Sequence, residues 1–278
     1  MQLSRFRTLI QLASSVLTNG YVGVFATRAV NANPLKGVCV PYLNCYACPS
    51  ALFSCPIGTL QHFMAIRSVP FLLLGFLGVI GTAIGRMPCG WACPFGFIQD
   101  LMHKIPSPKF RVPHFLRPFK YGFLAVFVLI LPYLTGDTWF SKICPAGTLT
   151  AAIPWMLWNP ANPATGQNVL PAMPGLQFVA VLVSLLLFLV WFVLSKRPFC
   201  QTVCPMGAIL SVFNKFSLVR LEVNEDCDAC NACQVNCPMD LDVPLEINSL
   251  ECIRCLECTR CGYVKVAKPW DFGGETHV

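Results

Sequence analysis

This chain carries little charge. Its 20 Lys and Arg and 13 Asp and Glu amount to 12% of 278 residues, against roughly 25% in a soluble domain, which argues against an ordinary cytosolic enzyme. Histidine is rarer still, with only His62, His103, His114 and His277. None of them lies in an apolar run, so a bis-histidine haem inside a bilayer has no ligands. A G-x-G-x-x-G fingerprint, a Walker A loop and a Ser/His/Asp signature are all missing, which removes support for nucleotide binding and hydrolysis. No flavin-attachment motif is present either. Apolar residues are in excess, at 55% with a mean hydropathy of +0.59, together with 17 cysteines, 23 prolines and 19 glycines. At this length the cysteines are not those of a small disulfide scaffold. In so apolar a chain the net charge of +7 marks membrane orientation rather than a nucleic-acid partner. The composition is that of a membrane protein with metal or redox cysteines.

Four apolar stretches, 8–27, 69–85, 121–135 and 176–195, approach the roughly 20 residues that a spanning helix needs. The first is diluted by Ser14, Ser15, Thr18 and Asn19; its alternative is a signal peptide cleaved after Val30-Asn31-Ala32. The second has four glycines, which suit close helix packing. The third is short, carries Pro132, and is expected to run past Asp137 to Phe140. With the N-terminus inside, twelve basic residues fall in inner segments, among them Arg5, Arg86, Lys120 and Arg197. Only Arg28, Lys36, Arg67 and Lys142 fall outside, a positive-inside bias. Trp139, Trp155 and Trp158 then sit near the outer interface. The expected location is a plasma membrane, with several passes and both termini cytoplasmic.

From about Phe216 the composition turns polar, which divides the chain into a four-helix membrane domain, 1–215, and a soluble domain, 216–278. The latter contains Cys227-x2-Cys230-x2-Cys233-x3-Cys237-Pro238 and then Cys252-x2-Cys255-x2-Cys258-x2-Cys261. The first run is the bacterial ferredoxin pattern, in which three thiolates hold one cluster and the fourth crosses to another. Cys227, Cys230, Cys233 and Cys261 are therefore assigned to one [4Fe-4S] cluster, and Cys252, Cys255, Cys258 and Cys237 to a second. The second run departs from the pattern, with one residue fewer before its last cysteine and Gly262 where a proline is usual. Structural zinc is the rival reading. The fold class expected is an all-α membrane domain followed by an α+β ferredoxin-type domain.

The remaining cysteines form a fourfold repeat. Cys55-Pro-Ile-Gly, Cys93-Pro-Phe-Gly, Cys144-Pro-Ala-Gly and Cys204-Pro-Met-Gly share one template, and CPIGTLQHFM and CPFGFIQDLM agree further, as an internal duplication would. Proline suits the first turn of a helix, which puts each cysteine near an N-cap, where free N–H groups favour a thiolate or an anionic cluster. Glycine allows something to approach closely. Topology places Cys89, Cys93, Cys200 and Cys204 at the inner face, and Cys45, Cys48, Cys55 and Cys144 at the outer face, with Cys39 left over. Two sets of four suit two further [4Fe-4S] clusters. The alternatives are disulfides Cys39/Cys45 or Cys48/Cys55 outside, and zinc, copper or dithiol chemistry inside. Gln61, His62, Gln99 and Asp100, just after the first two turns, are candidates for a quinone headgroup. Their alternative role is to satisfy helix ends. The basic loop 104–120 suits lipid or an acidic partner.

The segments GRMPCGWACPFGFIQD and FCQTVCPMGAI, with the double cysteine run, resemble the NapH/NosR/CcoG group of polyferredoxin membrane proteins, NapH-like quinol dehydrogenase subunits most of all. The resemblance implies four membrane helices, cytoplasmic clusters, partner redox subunits, and electron transfer in anaerobic respiration between those clusters and quinone or an extracytoplasmic acceptor. Cys89, Cys93, Cys200 and Cys204 match its CxxxCP positions. The loop CVPYLNCYACPSALFSCPIG lies outside the NapH pattern, and a NosR-type architecture lacks its flavin motif and outer domain here. Two other readings remain: copper or metal reduction as in the CcoG branch, and a membrane anchor for an iron–sulfur partner.

Overall fold

A computed structural model of the chain describes residues 2–27, 31, 33–158, 175–224, 227 and 230–267. Arg28, Val30, Ala32, His277 and the side chain of Trp158 lie outside the described residues.

Helices dominate, and proline sets where many begin. Cys55, Cys93, Cys144 and Cys204 all sit at an N-cap with proline next, opening the helices Pro56–Ala65, Pro94–Met102, Pro145–Gly147 and Pro205–Phe213. Proline has no N–H to leave unpaired in a first turn, and its fixed φ is already helical.

The apolar stretches fold less regularly than expected. Among the described residues one helix, His114–Thr135, is by itself long and apolar enough to cross a membrane. Phe71–Ile84 has 14 residues and Gly175–Leu194 has 20. Both turn large apolar side chains outward: Leu72 is 90% exposed and Leu187 67%. The first stretch is broken into helices Gln2–Thr18 and Val24–Thr27. The third does not reach Phe140: Gly136 turns left-handed at φ 71° and ends the helix, and Phe140 belongs to the separate Trp139–Ile143. Pro132 is accommodated after a π-helical stretch, Leu124–Ile130, where i→i+5 bonding makes room for a residue that cannot donate.

Among the described residues one apolar core links segments from Tyr42 to Val264. It joins Tyr42 and Leu43 through Phe95, Phe192, Phe199 and Leu210 to Leu221, Met239, Ile253 and Val264. The C-terminal cysteine segment is therefore packed onto the helices, not tethered to them. Strands Leu221–Val223 and Val264–Val266 pair antiparallel and close that segment. Hydrogen bonds tie it down, among them Asn214 Nδ2 donating to Cys252 O at 2.7 Å, Arg254 Nη2 to Asn214 O at 2.8 Å, and Trp91 Nε1 to Arg254 O at 3.0 Å. The loop before Cys55 also turns inward. Val40 N–H donates to Ser54 O and Ser54 N–H to Val38 O, and Tyr42, Leu43, Cys48 and Cys55 are buried.

Candidate metal centres

Cysteines line three cavities. Cys89, Cys93, Cys200 and Cys204 surround the first, with Leu43, Arg86, Phe95, Phe199, Met206 and Gly207. The N-cap geometry aims backbone donors at the sulfurs: Gly96 N–H points to Cys93 Sγ at 3.4 Å and Gly207 N–H to Cys204 Sγ at 3.3 Å. Gln99 Nε2 donates to Cys200 Sγ at 3.1 Å. The second cavity is lined by Cys45, Cys55 and Cys144. Cys48 is close by, its N–H donating to Cys45 O, with its thiol against Ser50 Oγ at 3.3 Å. Cys39 pairs with Thr59 Oγ1 at 3.3 Å. The third is lined by Cys237, Cys252, Cys255 and Cys258 among Leu221, Met239, Leu241 and Val243.

The other four C-terminal cysteines are less covered. Cys227, Cys233 and Cys261 are half-buried and Cys230 is exposed. Cys233 and Cys261 come together, both thiols pointing to Cys258 O, at 3.6 and 3.0 Å. The loops between the C-terminal cysteines hold Asn231, Arg254 and Leu256 at positive φ. Non-glycine residues keep so costly a backbone only where the surroundings demand it, and here it winds the chain around the thiols.

All 17 cysteines are free thiols, and neither outer disulfide, Cys39/Cys45 or Cys48/Cys55, is formed. Burial pushes the Cys93 and Cys144 thiols up to about 12 and Cys55 up to about 11. Such thiols are neutral, and binding iron would release their protons. Among the described residues no three His, Cys, Asp or Glu side chains come close enough to share one metal ion. A single zinc needs its sulfurs within about 2.3 Å; a cubane offers each cysteine its own iron corner and fits a wider ring. Soft thiols around apolar cavities, with backbone and amide donors aimed at them, suit an iron–sulfur cluster.

The cavities are neighbours. Leu43 lines both the first and the second. The backbone of Leu43 lies against the Cys93 thiol and that of the next residue, Asn44, against the Cys55 thiol. On the other side Gly90 abuts the third cavity: a Cβ there would lie 2.7 Å from Ile253 O and 3.5 Å from Cys255 Cα.

The quinone candidates fare differently. Gln61 is fully buried, donating to Ser141 Oγ at 3.1 Å and accepting from Phe140 N–H at 3.0 Å. Gln99 is committed to Cys200, and Asp100 is ion-paired with Arg197 at 2.6 Å and Arg7 at 3.2 Å. These three polar groups hold the interior together; only His62 is exposed. The charged residues at the first site were missed. Arg86 and Arg197 stand three positions before Cys89 and Cys200, and that shared register was the available signal.

The chain matches the model of the 4Fe-4S binding domain family over residues 53–69, 68–113, 120–158 and 177–224. These segments cover more than half of the chain and contain one Cys-Pro-x-Gly turn each. The chain belongs to this family and is an iron–sulfur protein of ferredoxin type. It is 28% identical over 212 residues to an uncharacterised protein of Methanocaldococcus jannaschii, covering 72% of this chain and 79% of that one. It is 31% identical over 170 residues to the methylamine utilization ferredoxin-type protein MauN of Paracoccus denitrificans, covering 60% and 52%. To the regulatory protein NosR of Pseudomonas aeruginosa it is 29% identical over 158 residues, covering 51% and 19%. The chain thus spans about half the length of MauN and a fifth of NosR. No solved structure matches it.

Proposed function

We propose that the chain is a membrane-embedded electron carrier with four [4Fe-4S] sites in series. The order is Cys227/Cys230/Cys233/Cys261, Cys237/Cys252/Cys255/Cys258, Cys89/Cys93/Cys200/Cys204, and Cys45/Cys48/Cys55/Cys144. A cluster supplies one-electron chemistry at each site; the chain supplies thiolates, dryness and spacing. The observation that carries the reading is the run of direct contacts between sites: Cys258 O against Cys233 and Cys261, Gly90 against Cys255, and the consecutive residues Leu43 and Asn44 against Cys93 and Cys55. Tunnelling steps are then short, and no quinone is needed to bridge one site to the next. The exposed Cys230 end suits a soluble donor or acceptor. The buried end at Cys45, Cys55 and Cys144 faces the quinone pool or an extracytoplasmic partner. The outward apolar faces of His114–Thr135, Phe71–Ile84 and Gly175–Leu194 support burial in lipid.

The test is iron and acid-labile sulfide per chain after anaerobic purification, followed by electron paramagnetic resonance of the reduced protein. About sixteen irons are expected, four per cubane, with signals broadened by magnetic interaction between neighbours. About eight irons would leave clusters only in the C-terminal segment and refute the series. Sixteen irons with no interaction would refute the order.

A further inference from the structure

Two arginines cross over at the first cavity. The repeats align as Arg86-Met-Pro-Cys89-Gly-Trp-Ala-Cys93-Pro-Phe-Gly96 and Arg197-Pro-Phe-Cys200-Gln-Thr-Val-Cys204-Pro-Met-Gly207. Each arginine serves the other repeat. Arg86 Nη2 donates to Cys200 O at 3.3 Å, and Arg197 Nη1 donates to Cys89 O at 2.8 Å. Each guanidinium also lies where the opposite glycine leaves room: a Cβ on Gly207 would be 3.0 Å from Arg86 Nη2, and one on Gly96 would be 3.2 Å from Arg197 Nη1. The crossing is a local twofold device. Arg197 is held at φ 43°, a costly backbone for a residue other than glycine.

The charge around this cavity is unbalanced. Arg86 and Lys120 share Glu251, while Arg197 and Arg7 share Asp100, with Arg7 also reaching Glu257 at 3.5 Å. Four buried cations thus meet three carboxylates, and Glu257 also binds the more exposed Arg260. Arg86 lines the cavity, and its buried Nε–H has no acceptor. Buried cations in surplus are costly unless an anion compensates them. A cubane held by four thiolates is such an anion, and it gains one further negative charge on reduction.

We propose that Arg86 and Arg197 are positioning residues that tie the two CxxxC halves together across the cavity and supply the counter-charge that raises the reduction potential of the cluster bound by Cys89, Cys93, Cys200 and Cys204. The inference rests on the reading of this ring as a cluster site. Its chemistry is the uptake of one electron, delivered by dithionite in the test, with no bond made or broken.

The test is a redox titration of the whole chain in detergent, followed by electron paramagnetic resonance. The relevant signal is the one absent in Cys204→Ser. In Arg197→Gln that cluster is expected to become at least tenfold harder to reduce, a fall of 59 mV for a one-electron couple. In Asp100→Asn, which removes a neighbouring negative charge, the midpoint is expected to rise. Opposite signs are the mark of counter-charge; a purely structural role would loosen the site the same way in both. Retained iron with unmoved midpoints, or shifts of the same sign, would overturn the proposal. If Arg197→Gln loses the cluster, Asp100→Asn decides alone: a rise supports the proposal and no rise defeats it. Wild-type protein with no iron in this ring would instead defeat the cluster reading itself.

Discussion

Three of the four Cys-Pro-x-Gly glycines, Gly58, Gly96 and Gly207, are closely approached by what lies against them. At Gly58 a Cβ would meet the Tyr46 ring at 2.4 Å; at Gly96 it would meet Cys89 O at 3.1 Å and Arg197 Nη1 at 3.2 Å. Backbone and a pinned guanidinium cannot easily give way, so Gly96→Ala is expected to cost about 1–3 kcal/mol. Iron should be lost from the Cys89/Cys93/Cys200/Cys204 ring first, as read by iron content and by thermal bleaching of the visible absorbance. Unchanged iron and bleaching temperature would contradict this. Leu43 is a second such position. It is buried between two cysteine rings, so Leu43→Ala should cost about 2–5 kcal/mol, and a cavity there would join the two rings. An Ala variant that bleaches at the wild-type temperature would mean that Leu43 does not fill the gap. At this scale the turns were legible in the sequence because an N-cap followed by proline is local chemistry. The crossed arginines were not, because their partners are 114 and 108 residues away.

Among elements, one short junction contributes to the docking of the C-terminal segment beside the shared core and the buried ion pairs. Gly85 sits at φ 59°, and a Cβ there would lie 2.4 Å from Asn214 Oδ1. That oxygen accepts from Arg86 N–H at 2.9 Å, while Asn214 Nδ2 donates to Ser249 O and Cys252 O. Asn214 therefore fastens the end of Phe71–Ile84 to the loop that carries Cys252. Asn214→Ala strands the buried Arg86 N–H, worth about 1–3 kcal/mol when unsatisfied, and removes the donor to two partly buried carbonyls. The expected result is faster protease release of the segment after Phe216 at unchanged cleavage elsewhere. Equal release rates would show that the shared core alone holds it. The helices themselves were only partly legible. Gly175–Leu194 follows its apolar run closely, because a stretch free of charge and proline, with only Gln177 and Ser184 polar, favours one continuous helix that satisfies its own backbone. The first run broke where polar residues and glycines interrupt it, and the third stopped at Gly136, whose left-handed turn outweighs the apolar residues beyond.

For the molecule as a whole, burial of the four cysteine groups differs in a graded way that should govern how metal leaves. Cys230 is exposed, and Cys227, Cys233 and Cys261 are half-buried, whereas Cys89, Cys93, Cys200 and Cys204 are all buried. Spacing alone brought Cys237 into the same group as Cys252, Cys255 and Cys258, since the crossing of one cysteine between clusters is a property of the motif. The adjacency of the other two rings was hidden, because it depends on a loop folding into the core and on side chains far apart in sequence. Oxidant and chelator must reach iron through solvent, so loss should be biphasic. The Cys227/Cys230/Cys233/Cys261 site should empty first, releasing about a quarter of the iron, and the buried rings should follow more slowly, paced by local opening of the core. A time course of iron release with ferricyanide and a chelator reads this directly. Release of all iron in one phase would mean that the rings open together, and the gradient of burial would then not control access to the clusters. Biphasic release whose fast phase disappears in Cys230→Ser would assign that phase to the exposed site.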